Sequence, residues 1–174
     1  QGASVKDVYT DQLEMQLATL NDLGRKWTVR ISREVQRCEE TAKNIGTLCV
    51  ELKLAGGLDY NKVKGFKDKQ KVTEDARAQF YFAVDQPFRQ WLQAIDPEQD
   101  DPDEAALRWQ AQARNIAEKL GKQMVMEAGN AALKGHRIVV DKDKKTERTI
   151  LYTSPKAYNR FRTRLWEIYP KTEP

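Results

Sequence analysis

Three cations recur at four-residue steps near the end of this 174-residue chain: Lys156, Arg160 and Arg164. On a helix that spacing stacks them in one row, ~6 Å apart along the axis, opposite an apolar stripe. Such a row can follow a phosphate backbone, neutralising charges and releasing counterions without reading any base. A second cluster contains Lys64, Lys67 and Lys69. From Lys53 to Lys71 there are six lysines against two acids, and from Lys134 to Arg164 ten Lys and Arg against three. The whole chain carries only +4, from 30 basic and 26 acidic side chains, so its positive charge is concentrated locally. A solvated helix face, or a loop that keeps the chain soluble, has the same composition. Whether the two clusters share a surface is not readable from spacing.

Other chemistries lack their parts. There is no glycine-rich phosphate loop, no G-x-S-x-G elbow, and the single histidine, His136, lies in a charged loop without a nucleophile beside it. Cys38 and Cys49 fall in one helical stretch, where eleven residues of rise separate them by roughly 16 Å, too far for a disulfide. They read as small core residues of a reducing compartment. One histidine and no close cysteine pair leave too few ligands for zinc or for a bundle-type di-iron site. Six carboxylates lie between Asp96 and Glu104, without the EF-hand pattern and without apolar neighbours to raise a pKa. They read as a solvated acidic loop. The expectation is a protein with no catalytic residues, no metal and no cofactor.

These side chains must be positioned by helices. The first is marked by Leu17, Leu20, Gly24, Trp27, Ile31, Val35, Cys38, Ala42, Ile45, Cys49 and Leu52, nearly all at steps of three or four. Before Thr19 the pattern also fits an extended lead-in, and Gly56-Gly57 is the expected stop. A lysine-rich connection runs from Leu58 to Lys71. Thr73 is the expected N-cap of the second helix, with Glu74 and Asp75 in its first turn and Phe80, Val84, Phe88, Trp91 and Ile95 as its buried stripe. Pro87 is expected to bend it. Ala106, Trp109, Ala113, Ile116, Leu120, Met124, Ala128 and Ala131 mark the third helix, ending near Gly135. His136 to Tyr152 breaks the period: Ile138–Val140 and Thr149–Leu151 flank a charged centre, as in a mobile loop or a short hairpin. Ser154-Pro155 is a cap followed by proline at the first helical position, and Tyr158, Phe161, Leu165 and Ile168 give the last stripe.

Each helix carries one tryptophan, Trp27, Trp91, Trp109 and Trp166, read here as core. The fold class is all-α: a four-helix bundle over residues 19–174, with a charged loop or short hairpin before the last helix, preceded by a lead-in over 1–18. No run of 18 apolar residues and no secretory signal is present, so no membrane association and a cytoplasmic location are expected. The chain opens on Gln1, which reads as a processed product or a piece of something longer.

The order of these features resembles a known family. Phe80-Tyr81 leads a helix to Trp91; an acidic break and the Trp109 helix follow. Ser154-Pro155-Lys156-Ala157-Tyr158 then runs into Phe161, Arg164 and Leu165. This is similar to the C-terminal helical domain of the CasA family, large subunit of the type I-E CRISPR surveillance complex, Cascade. The first helix, entering through Thr19–Trp27 and leaving by a glycine-containing loop, fits the same order. The resemblance implies a non-catalytic bundle that helps hold target DNA, contacts the small subunits and moves as the R-loop forms. It also implies that recognition of the motif flanking the target, and recruitment of the helicase-nuclease, belong to an N-terminal domain outside this chain. Lys156 falls where the family places a lysine at the start of the last helix, while the 136–152 loop is longer than the family's usual connection. The expected function is therefore support of target DNA binding through Lys156, Arg160, Arg164, Lys64, Lys67 and Lys69. The alternative is a protein-docking bundle without nucleic-acid contact.

Overall fold

The computed structural model describes residues 24–55, 60–132, 137–141, 146–149 and 155–168. Within them lie α1 (Arg25–Glu51), a 3₁₀ turn (Tyr60–Lys62), α2 (Gly65–Ala94), α3 (Pro102–Ala132), strands β1 (Arg137–Asp141) and β2 (Thr146–Thr149), and α4 (Pro155–Ile168). The lead-in proposed for residues 1–18 lies outside them.

α1 packs on all three other helices, α2 and α4 each pack on α1 and α3, and so α2 and α4 flank the α1–α3 pair. Contacts fix the directions. Glu34 meets Gln110 and Cys49 meets Met124, so α1 and α3 run parallel. Thr73 lies against Gly46, so α2 runs opposite to them, as does α4, whose Phe161 and Arg162 meet Gly121 and Glu118.

The predicted stripes supply most of the core, with Leu52, Ile95, Ile116 and Ala128 partly buried against it, Gly24 exposed, and Leu17 and Leu20 outside the described residues. Trp27, Ile31, Val35, Cys38, Ala42, Ile45 and Cys49 of α1 are buried, as are Phe80, Val84, Phe88 and Trp91 of α2, Trp109, Ala113, Leu120 and Met124 of α3, and Phe161 and Leu165 of α4. At one end Phe88, Trp91 and Trp109 pack with ring centroids 5.1–5.8 Å apart, and the Trp91 indole N–H donates to the Ala105 carbonyl at 3.0 Å. Both cysteines are free and buried, and burial pushes each thiol up to about 12. Two glycines admit neighbours that a methyl group would displace. A Cβ on Gly46 would lie 2.9 Å from the Thr73 carbonyl oxygen, and one on Gly121 would collide with the Phe161 ring.

Three expectations need correction. α1 does not reach Gly56: it ends at Glu51 in a Schellman motif, with the Leu54 N–H donating to Cys49 O (2.8 Å), the Lys53 N–H donating to Val50 O (3.3 Å), and Lys53 in the left-handed region at φ 60. Burial of Leu54 (9% exposed) holds that cap in place of the usual glycine. α2 begins at Gly65, so Thr73 is not its N-cap; the Thr73 hydroxyl instead donates to the Lys69 carbonyl one turn back. Pro87, the residue expected to bend this helix, lies inside it. Trp166 is 39% exposed rather than core, and the Arg114 guanidinium stacks on its ring, 3.5 Å from the centroid. The segment before α4 resolves to the hairpin alternative, with Arg137 opposite Thr149, Ile138 opposite Arg148, and an irregularity between Val139 and Asp141.

Candidate nucleic-acid interface

Lys64, Lys67 and Lys69, expected in a loop, lie at the start of α2: the last two on its first turns and Lys64 as its N-cap. All three are exposed. Gly65 takes φ +76, a left-handed turn that suits glycine, and the Asp68 carboxylate accepts the Lys64 backbone N–H at 2.9 Å, closing the helix start. From there to Lys71 every side chain faces water.

On α4 the expected row is present but unequal. Lys156 and Arg160 are exposed, whereas Arg164 is half-buried. Arg164 grips Glu51 with both ends of its fork: Nε to Oε2 at 2.6 Å and an Nη to Oε1 at 2.8 Å. It also pairs with Glu167. The Arg164 hydrogen bonds hold the Glu51 carboxyl below its ordinary range, and the two carboxylates push Arg164 above its own. Arg164 is thus largely neutralised by acids.

Glu51 joins the two clusters. It lines one depression with Lys156, Arg160 and Arg164, and a second with Lys69, Phe66 and Gln70. The start of α2 and the row on α4 therefore meet at one end of the bundle, around the C-terminus of α1. Lys64 and Lys67 flank Phe66 there without lining either depression.

At the opposite end, sequence reasoning missed a third group. Arg25, Lys26, Arg30 and Arg33 of α1 surround a depression shared with Pro102 and Asp103. Lys26, Arg30 and Arg33 follow steps of four and three, a signal that was present in the spacing. Arg30 is buried there against Asp103, at 3.6 Å. Asp103 itself stays largely open to water, as expected of the acidic segment, while pairing with the buried Arg30.

Below that end lies a buried polar cluster. Gln110 Nε2 donates to both oxygens of Glu34, at 3.0 and 3.1 Å, and Arg37 approaches Glu34 at 3.7 Å. A buried carboxylate with an amide and a guanidinium has the partners that burial requires. It faces helix–helix packing rather than a cleft. His136 lies outside the described residues. Among the described residues no cluster of His, Cys, Asp and Glu could hold a metal ion, and no helix is long and apolar enough to cross a membrane.

Residues 1–120 match the family model of CRISPR-associated protein Cse1. The match takes in α1, α2 and α3 as far as Leu120; the hairpin and α4 lie beyond it. No curated protein and no solved structure matches the chain.

Proposed function

We propose that this chain, which belongs to the Cse1 family of the Cascade large subunit, is a non-catalytic domain that holds target DNA by its backbone during R-loop formation. Membership of that family makes it part of a Cascade complex with other subunits. The observation that carries the reading is the meeting of two lysine- and arginine-rich segments, distant in sequence, around Glu51. In RNA-guided recognition base pairing selects the sequence, so a supporting surface needs charge and shape but no base contacts. Lys156, Arg160, Lys64, Lys67 and Lys69 are the contacting residues on this reading; Arg164 contributes less because Glu51 and Glu167 already hold it. A cytoplasmic location, and contact with the helicase-nuclease through the rest of the complex, belong to the same proposal.

One observation favours a docking role as well. Phe82, 74% exposed, borders an apolar recess lined by Leu54, Val63, Val72 and Met124 and rimmed by both signs of charge, including Lys71 and Asp75. A mixed-charge rim around an apolar floor suits a protein neighbour, such as a small subunit, better than a polyanion.

Titrating the chain with labelled duplex and single-stranded DNA at several salt concentrations tests the reading. Affinity falls steeply with salt, and Lys156→Glu with Arg160→Glu makes the slope of log K against log salt shallower by about 2. Affinity that ignores salt, or survives the double substitution, overturns it. Nuclease treatment before copurification separates the docking role, whose partners then remain bound.

A further inference from the structure

Phe66 is 80% exposed, more than any other large apolar side chain among the described residues, and it adds nothing to the core. Single exposed apolar residues are ordinary, so exposure alone selects nothing. Its surroundings do. Lys64, Lys67 and Lys69 lie within three residues of it, all exposed, and from Lys62 to Lys71 there are five lysines and one acid. That acid, Asp68, is engaged with the Lys64 backbone N–H. Beside the ring lies the depression it shares with Val50, Lys69, Gln70, Thr73 and Glu51, whose carboxylate is held by Arg164.

An open aromatic face among ammonium groups offers two things together: a platform for a base and cations for the phosphates on either side of it. Only an unpaired strand can use both, because a duplex keeps its bases stacked inside. A protein partner anchored on Phe66 would have to neutralise this excess of positive charge. We infer that Phe66 is a base-stacking residue for single-stranded DNA, with Lys64, Lys67 and Lys69 holding the adjacent phosphates. The inference rests on the proposal that this end of the bundle holds DNA, and it adds a preference for the unpaired strand.

The test uses the full chain with labelled oligo(dT) and a duplex of equal length. Phe66→Ala weakens oligo(dT) binding about tenfold and leaves the duplex within about twofold, while Phe66→Trp retains the single-strand affinity. Lys67→Glu with Lys69→Glu weakens both probes. A 2-aminopurine placed in the oligonucleotide changes its fluorescence on binding to the wild type and not to Phe66→Ala. Equal loss for both probes with Phe66→Ala, or loss for neither, overturns the stacking assignment while the DNA-binding proposal stands. A wild type that binds neither probe at low salt overturns both. If Phe66→Ala alters self-association in sedimentation and leaves oligo(dT) binding intact, the ring is a contact between copies and the assignment falls. Thermal melts of the variants show that the fold is retained.

Discussion

The two ends of the bundle treat charge and aromatic surface in opposite ways. Where α1 and α3 begin and α2 ends, Trp109 and Phe88 are almost wholly buried, and Arg30, Glu34 and Gln110 are buried with partners. Around the C-terminus of α1, Phe66 and Phe82 stand in water, lysines crowd the start of α2, and the ion pair of Arg164 with Glu51 is only partly shielded from solvent. Buried aromatics and buried, paired charges cost stability when disturbed. Exposed ones contribute little to the fold and are available to a partner. The first end holds the structure by buried, partnered groups, although Arg25, Lys26 and Arg33 are exposed there too; the other end presents the larger aromatic and lysine-rich surface, and the substitutions below separate these roles.

The largest effect belongs to the packed end. Trp109→Ala removes an indole that touches both Phe88 and Trp91 and leaves a cavity between α2 and α3, so unfolding in urea is expected to lose about 3–5 kcal/mol. The fraction that remains folded at low temperature should bind DNA with wild-type affinity. A loss of binding without a loss of stability would erase the division between the ends.

A smaller and more local loss is expected where α4 docks. In Gly121→Ala the new methyl would lie inside the Phe161 ring, which is wholly buried and has little room to swing aside. Overpacking of this kind costs about 1–3 kcal/mol. Because α4 carries Lys156 and Arg160, its displacement should weaken DNA binding as well as accelerate hydrogen exchange in α4 amides, with α2 amides unchanged. Uniform acceleration across all helices would place Phe161 in the common core rather than in a local dock.

The packed end was also the legible one. Apolar periodicity reports burial, and Phe80, Val84 and Phe88, read at four-residue steps, are each fully buried. The first two turns of α2 escaped because no side chain from Lys64 to Lys71 is buried; a helix exposed all round shows no stripe, and its lysines read as a loop. Trp166 misled for a related reason. It sits five residues beyond Phe161, well off the Phe161–Leu165 stripe at 100° per residue, and only the Arg114 side chain from α3 explains its place. The row on α4 was visible as spacing, but the acid that reduces it was not, since Glu51 lies 113 residues from Arg164 along the chain. Partners brought together by tertiary packing have no local signature.

The smallest effect on stability, and the sharpest comparison of the two ends, comes from Glu51→Gln. The carboxyl of Glu51 is held below its ordinary range by the Arg164 hydrogen bonds, so its contribution is fully present above the ordinary carboxylate pKa. It is lost as pH falls through the lowered one. Wild type and Glu51→Gln should therefore differ slightly in melting temperature at neutral pH and converge in acid, because an exposed pair holds little. Binding should move the other way. The substitution removes the negative charge between the lysines of α2 and the row on α4 and loosens Arg164, so DNA affinity at low salt should rise and the salt dependence should steepen by up to about 1. Unchanged affinity would mean that polyanions pass by Lys156 and Arg160 without reaching Arg164, and that the two basic clusters act as separate surfaces despite sharing Glu51.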